Sequence, residues 1–217
     1  MGVVELKQDD RTGLWHRPDK WGDVNVLKQI RSEYNALDIQ EGDRVLDAGA
    51  HIGAFAWLAL QRGAKKVVCY EPAPDNFELL ERNFGDHPFV VLSPAALVAR
   101  AAGDRELFLG ERDTSGYSLY VRRGRTSVTV PTVGFLGELR RYRPTVVKVD
   151  IEGGEYEIPL RFADHVRSLC IEFHLKRKEW RERTLVLIAE VEAQGFVAVR
   201  APALGTRAWD ALGIWKR

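Results

Sequence analysis

The chain has 217 residues, 45% of them hydrophobic and 29% charged, and a formal net charge of +1. These values are typical of a globular protein of one domain, and the charge balance gives no general attraction to nucleic acid or to anionic membranes. No apolar run reaches the ~18 residues of a membrane span, and Cys69 and Cys170 stand in apolar runs, as expected of reduced core cysteines in a cytoplasmic protein.

Residues 1–40 are predicted to form a helical segment in front of the main domain. Apolar residues recur there at the spacing of one amphipathic helix: Val24, Leu27, Ile30, Tyr34 and Leu37. Trp15 and Trp21 precede this stretch. They have two interpretations, a lid over a ligand site or simple packing against the helix.

Strands and helices alternate over most of residues 41–217. The predicted strands are "RVLDA", "KVVCYE", "FVVLSPAAL", "TVVKVDIEG", "SLCIEFH", "FVAVRA" and "LGIWKR". The predicted helices between them are "GAFAWLALQRG", "PAPDNFELLERNF", "GFLGELRRY", "EYEIPLRFADHV" and "EWRERTLVLIAEVEAQG". This order predicts an α/β fold with a Rossmann-like, doubly wound sheet and helices on both of its faces.

An insertion at about residues 104–133 interrupts the alternation. "RELFLGE" and "TSVTVPTV" have the pattern of a β-hairpin around a loop rich in Gly, Arg and Ser, residues 110–127. Because specificity tends to reside in such loops, we expect this one to recognise the substrate. Its basic run "VRRGR" (Val121 to Arg125) is the one feature that favours nucleic acid, which the overall charge makes an unexpected partner.

The turn Gly49-Ala50-His51-Ile52-Gly53 follows the first strand and opens a helix. Such turns bind nucleotide cofactors, but a dinucleotide site normally has a third glycine where His51 stands. The carboxylate of Asp47 would repel a pyrophosphate and suit an ammonium group. Glu71, at the end of the second strand, is placed to accept hydrogen bonds from ribose hydroxyls. These features favour S-adenosylmethionine over a nicotinamide dinucleotide.

From about Tyr34 to His174 the chain resembles the FkbM-type S-adenosylmethionine-dependent methyltransferases, a branch of the class I methyltransferase fold. The similar segments are "VLDAGAHIGAFA", "VVCYEPAPDNFELLERN", "PAAL", "VKVDIEGGEYEI" and "CIEFH". "GFLGEL" departs from the Leu-Asp pair common in the family before "EL", and His51 replaces a more usual Asn.

The resemblance implies a seven-stranded, mostly parallel sheet whose last strand is antiparallel. By the same resemblance, the glycine turn holds the cofactor, Glu71 binds the ribose, and Pro72, Ala95 and Ala96 lie on the adenine side. The full set of implied cofactor-binding residues is Asp47, Gly49, Ala50, His51, Gly53, Glu71, Pro72, Ala95 and Ala96.

Asp150, Glu152 and His174 are the candidate acid/base residues, because they stand where two adjacent strands end. No Asp/Asn-Pro-Pro-aromatic motif of amine and nucleobase methylases follows the fourth strand. The sequence therefore favours O-methylation of a hydroxyl on a sugar, glycan or polyketide-like small molecule. The same three residues could instead bind Mg²⁺. The alternatives are a nucleic-acid methylase and a non-catalytic protein that binds S-adenosylmethionine, and a homo-oligomer is compatible with every interpretation.

Overall fold

The computed structural model describes residues 4–101, 103–110, 113–120, 126–205 and 208–217. The chain also forms a 3₁₀ turn at Gly154–Tyr156, in addition to thirteen strands and five helices in the described residues. In chain order these are β1 (Lys7–Gln8), β2 (Trp15–His16), α1 (Trp21–Glu33), β3 (Arg44–Ala48), α2 (Ala54–Gln61), β4 (Lys66–Tyr70), α3 (Pro74–Phe84), β5 (Val90–Ser93), β6 (Ala96–Val98), β7 (Arg105–Phe108), β8 (Ser127–Val130), β9 (Thr132–Gly134), α4 (Phe135–Tyr142), β10 (Val146–Val149), β11 (Ser168–His174), α5 (Lys178–Glu192), β12 (Val197–Arg200) and β13 (Asp210–Lys216).

Seven of these strands form one sheet in the order β12-β13-β11-β10-β3-β4-β5. The central pairs from β11 to β5 are all parallel. β13 runs antiparallel to both of its neighbours, β11 and β12. This is the mostly parallel, seven-stranded sheet with an antiparallel last strand that the sequence predicts, so the predicted fold class is confirmed.

Helices cover both faces of the sheet. On one face α1, α2 and α3 share a buried apolar cluster with Val45 of β3, and on the other α4 and α5 share a second cluster with Leu46. Successive residues of a strand point to opposite faces. The adjacent Val45 and Leu46 of β3 therefore supply one core each, as expected of a parallel strand buried on both sides. Within the described residues, no helix combines the length and the apolar character needed to cross a bilayer.

β7 and β8 form the predicted antiparallel hairpin, with Arg105 opposite Val130. A small apolar cluster packs this hairpin against the segment after β4 and the first residue of β6, and it consists of Ala73, Ala96, Leu107 and Val130. Of the loop between the two strands, residues 113–120 lie near the carboxyl end of β10, where Ser118 donates to the carbonyl of Glu152 at 2.6 Å. The basic run of residues 121–125 lies outside the described residues.

Two predicted elements are wrong, and a third, "TSVTVPTV", is divided at Pro131 into β8 of the hairpin and β9 outside it. "EYEIPLRFADHV" forms only the short 3₁₀ turn, because Pro159 has no N–H to donate and restricts Ile158 to non-helical conformations. "FVVLSPAAL" is not one strand. Pro94 separates β5 from β6, and β6 pairs with β9 outside the main sheet.

Candidate active site

A cavity of about 450 Å³ lies over the carboxyl ends of the parallel strands. This is where ligands of open α/β sheets bind. Most of the predicted site residues line the cavity, namely Gly49, Ala50, His51, Glu71, Pro72, Ala95, Ala96, Asp150, Glu152 and His174. Asp47 and Gly53 are absent from its wall, so the prediction that they contact a ligand has no support from their positions.

Gly49 and Gly53 both have positive φ angles, 81° and 92°. A Cβ atom on Gly49 would lie 1.8 Å from the carbonyl oxygen of Asp150, and one on Gly53 would lie 2.4 Å from Phe84. Both positions therefore require glycine for packing within the chain, since an L side chain would clash and strain the backbone. Gly49 brings the turn directly against the end of β10.

Glu71 is a buried carboxylate at the end of β4. Its Oε2 accepts the N–H of His51 at 2.8 Å, and its Oε1 accepts the N–H of Ala73 at 2.9 Å. Burial raises the pKa of Glu71 to about 7, although these hydrogen bonds favour the ionised form. A side-chain hydrogen bond from Asn76 also favours the ionised form of Glu71. A carboxylate has about four lone pairs, so at least one remains to accept a hydrogen bond from a ligand.

His51 connects the glycine turn to the two segments above it. Its Nε2 lies 3.0 Å from Oγ1 of Thr114, in the β7–β8 loop, and that hydroxyl donates to Oδ1 of Asp23 at 2.7 Å. Because Thr114 gives its one hydrogen to Asp23, Nε2 of His51 must be the donor and Nδ1 an acceptor. Nδ1 is buried with no hydrogen-bond partner among the residues described. Burial lowers the pKa of His51 to about 4, so the ring is neutral at pH 7.

Arg17 adds further hydrogen bonds to these contacts above the cavity. Its guanidinium is buried and donates to both carboxylate oxygens of Asp23 at 2.8 Å, to Asp75 at 2.7 Å and to Asn76 at 2.6 Å. Asn76 in turn donates to the carbonyl of Thr114 at 3.0 Å. The five residues fasten α1 and the β7–β8 loop to the start of α3 over the cavity. We refer to Arg17, Asp23, Asp75, Asn76 and Thr114 as the buried polar network.

The wall beyond Glu71 is apolar. Ala95 and Ala96 are buried there, and Pro72 follows Glu71 directly. The larger apolar side chains Leu97, Leu107 and Leu119 line the same cavity. Small residues beside leucines leave a flat apolar slot, which is the kind of surface that an aromatic base fills.

Asp47 is buried in β3 opposite Lys148 of β10. The ammonium of Lys148 lies 3.2 Å from Asp47 and 3.4 Å from Asp150, and it donates to the carbonyl of Gly49 at 2.7 Å. Burial lowers the pKa of Lys148, but the two carboxylates outweigh it and raise this pKa above its ordinary value. The lysine is therefore charged, and Asp47 acts by neutralising it rather than by reaching the cavity.

His174 lies between two carboxylates. Its Nε2 is 3.2 Å from Glu152 and its Nδ1 is 3.0 Å from Glu155, while Asp150 is 3.9 Å away. Burial lowers the pKa of His174, but Glu152 and Glu155 together hold this pKa well above its ordinary value. The ring is thus an imidazolium at neutral pH, which makes it a poor general base. Lys176 also donates to Glu152 at 2.9 Å.

Glu172 stands two residues before His174 in β11 and also lines the cavity. Burial, and then the neighbouring Asp150, raise the pKa of Glu172 well above its ordinary value. Ligand atoms of Asp150, Glu172 and His174 lie within 4.8 Å of one another. The charged Lys148 beside Asp150 and the protonated His174 make this group a poor site for Mg²⁺, which requires unprotonated ligands.

Lys148, Glu155 and Glu172 are the functional residues that sequence reasoning missed. Glu155 is the first residue of the predicted helix "EYEIPLRFADHV", and its carboxylate binds His174 and the N–H of Gly153. A signal for the other two was available. A lysine within "VVKVD" and a glutamate within "CIEFH" are charged residues inside apolar strands, which are expected only where they find partners or a ligand.

The comparison with protein families matches residues 47–197 to the methyltransferase FkbM domain. This match covers more than half of the chain. The chain belongs to the FkbM methyltransferase family. The family resemblance predicted from the sequence motifs is confirmed.

A curated relative of this FkbM-family chain is the hexuronic acid methyltransferase AglP of Haloferax volcanii, 27% identical over 169 residues. The match covers 74% of this chain and 66% of AglP. Among solved structures, the methyltransferase FkbM of Methylobacillus flagellatus KT superposes with a TM-score of 0.55 at 18% identity, over 82% of this chain and 44% of that one. This chain therefore spans less than two thirds of the length of either protein.

Aeropyrum pernix fibrillarin, solved with natively bound S-adenosyl-L-methionine, superposes with a TM-score of 0.54 at 13% identity. The superposition covers 98% of this chain and 82% of fibrillarin. At such low identity the two solved structures establish the fold alone. The fold they establish is that of class I methyltransferases.

Proposed function

We propose that this chain is an S-adenosylmethionine-dependent methyltransferase that transfers a methyl group to a hydroxyl oxygen of a sugar or glycan. The observation on which this rests is a single cavity with two chemically different ends. One end has the buried Glu71 and a flat apolar slot, and the other has Asp150, Glu172 and His174. FkbM membership supports methyl transfer, and the hexuronic acid named for AglP supports a sugar acceptor.

The residues of the first end fit the cofactor. Glu71 has a lone pair left for a ribose hydroxyl, and the orphaned Nδ1 of the buried His51 can accept a hydrogen bond from a second donor. Ala95 and Ala96 leave room for the adenine ring. Bound S-adenosylmethionine supplies a methyl group on a positively charged sulfur, from which an oxygen nucleophile can displace it.

The second end must orient the acceptor hydroxyl and remove its proton. Asp150 and Glu172 are the groups we assign to this task. Burial and the neighbouring Asp150 raise the pKa of Glu172 well above its ordinary value, so its carboxylate binds a proton more strongly than an exposed carboxylate does, as a general base must. His174, held protonated by Glu152 and Glu155, is a positioning residue that fixes the charges around them.

An acceptor screen tests the proposal. The protein is incubated with S-adenosylmethionine labelled in its methyl group and with panels of glycosides, glycans, polyketide-like alcohols and oligonucleotides, with and without EDTA. We expect labelled, alkali-stable methyl ethers in the glycoside or glycan panel, formed equally well with EDTA. Label confined to oligonucleotides, or activity abolished by EDTA and restored by Mg²⁺, would contradict the assignment.

Replacing Glu71 by Ala is expected to weaken S-adenosylmethionine binding by about ten- to a hundredfold. The change removes a charge-assisted hydrogen bond to the ribose, worth roughly 1.5–3 kcal/mol. Calorimetric titration of the two proteins measures the effect, and circular dichroism checks that the variant is folded. NADH should not bind the unmodified protein measurably. Equal affinity in the variant would show that the ribose lies elsewhere.

The affinity for S-adenosylmethionine is expected to rise about tenfold between pH 6 and pH 8. In the free protein the pKa of Glu71 is about 7, so the carboxyl is mostly protonated at pH 6 and mostly ionised at pH 8. Ribose hydroxyls donate to the ionised form, so binding near pH 6 must release a proton. Titrations in buffers of different ionisation enthalpy measure that proton. Glu71→Gln, which cannot titrate, is the control and should flatten the profile.

A further inference from the structure

Trp209 is a large apolar residue in an unexpected place. It lines the cavity, yet 68% of its surface is exposed. Its carbonyl accepts the N–H of Leu175 at 2.8 Å, and the next residue, Asp210, pairs across the sheet with His174. The indole therefore stands on the rim of the cavity beside the proposed catalytic end. An exposed tryptophan at a cavity mouth is informative because tryptophan side chains are normally well buried.

Hydrogen-bonding groups of α1 face the same cavity. Asn25, Gln29 and Glu33 follow one another at a spacing of four residues, so they form one stripe along the helix, and all three line the cavity. In the part of the chain that the structure describes, neither the Asn25 nor the Gln29 amide has a side-chain hydrogen bond within the protein.

Carboxyl groups surround the end of this stripe. Glu33, Glu172 and Asp210 all line the cavity, and Asp150 is near enough to both glutamates to influence their ionisation. Carboxyl oxygens accept hydrogen bonds from hydroxyl groups, and side-chain amides both donate and accept them. A flat apolar ring beside several acceptors matches a molecule with one C–H face and an edge of hydroxyls.

We propose that Trp209, Gln29, Glu33 and Asp210 form the subsite that binds the acceptor, and that its occupant is a pyranose ring. The indole face, which carries partial negative charge, packs against the polarised C–H bonds of one sugar face. Gln29, Glu33 and Asp210 bind the hydroxyls around the ring edge. This assignment rests on the proposed function and adds the residues that select a sugar over a flexible or fully apolar alcohol.

Ligand-observed NMR tests the subsite without knowledge of the natural acceptor. The protein is saturated with S-adenosylhomocysteine, and saturation transfer to methyl β-D-glucopyranoside, galactopyranoside and mannopyranoside is measured. We expect transfer to at least one glycoside, strongest at the C–H protons of one ring face. Trp209→Ala should weaken its binding about tenfold, whereas Trp209→Phe should retain most of it. Phe89→Ala, which removes another exposed aromatic side chain away from the cavity, should have no effect.

The assignment is overturned if none of the three glycosides receives saturation, or if Trp209→Ala binds as well as the unmodified protein. Calorimetry of S-adenosylhomocysteine binding separates this failure from failure of the proposed function. Trp209→Ala should bind S-adenosylhomocysteine with unchanged affinity, since the indole lies at the acceptor end. An unmodified protein that does not bind S-adenosylhomocysteine would refute the methyltransferase proposal itself.

Discussion

Asp150→Asn should reduce methyl transfer by about 10²–10⁴-fold while leaving the affinity for S-adenosylmethionine nearly unchanged. The loss is the range expected when a general base is removed. Asn has the shape of Asp, and the backbone contact between Asp150 and Gly49 involves only main-chain atoms of Asp150, so the cofactor turn should stay in place. Turnover is measured with the acceptor that the screen identifies, and cofactor affinity by calorimetry.

Two further variants make this experiment specific. Glu172→Gln removes the second candidate base, and the carboxylate that takes the proton should give the larger loss of turnover. Glu157→Gln is the control, because Glu157 pairs with Arg105 outside the cavity, and it should retain full activity. If both Asp150→Asn and Glu172→Gln were fully active, the proposed chemistry would have to be assigned to other residues.

Arg17→Met is expected to lower the free energy of unfolding by about 3–5 kcal/mol. The change leaves the fully buried Asp23 without its cationic partner, and an unpaired buried charge has a cost of this size. Urea denaturation followed by circular dichroism measures the difference. Cofactor affinity should fall as well, because the buried polar network holds Thr114 and α1 over the cavity.

Arg105→Met provides a matched control. The Arg105–Glu157 ion pair, at 2.7 Å, has nearly the same separation as the Arg17–Asp23 pair, at 2.8 Å, but both of its side chains are more than a third exposed, whereas Arg17 and Asp23 are buried. Exposed pairs contribute about 0–1 kcal/mol. If Arg17→Met and Arg105→Met lowered the free energy of unfolding equally, burial of the polar network would not be the reason for its contribution to stability.

Much of the fold could be predicted because its signals are local. β3, "RVLDA", and β11, "SLCIEFH", are buried on both faces, and their sequences show this because apolar residues stand next to one another instead of alternating with polar ones. The helix predicted after β10 failed for an equally local reason, since Pro159 outweighs the helical spacing of the apolar residues. Strands and helix ends could thus be predicted wherever the residues of one segment determine its own conformation.

The site was predicted less completely because its contacts join distant parts of the chain. Glu71 and Asp150 were found because strand ends of a parallel sheet meet at one edge. No spacing rule joins Arg17 to Asp75, 58 residues away, or His51 to Thr114, 63 residues away. The same applies to Glu155, whose partner His174 depends on how the chain returns after the 3₁₀ turn.

The close approach of Gly49 to Asp150 has a consequence for how such an enzyme can change its substrate. The Asp150 carbonyl lies 1.8 Å from where a Gly49 Cβ would stand, and Lys148 donates to the carbonyl of Gly49. The glycine turn and the end of β10 are therefore packed tightly together at the floor of the cavity. A substitution there that suited a new acceptor would also disturb cofactor binding. The rim at Trp209 has no such constraint, because this side chain is exposed. Divergence to new acceptors is therefore expected to proceed at the rim over an unchanged floor.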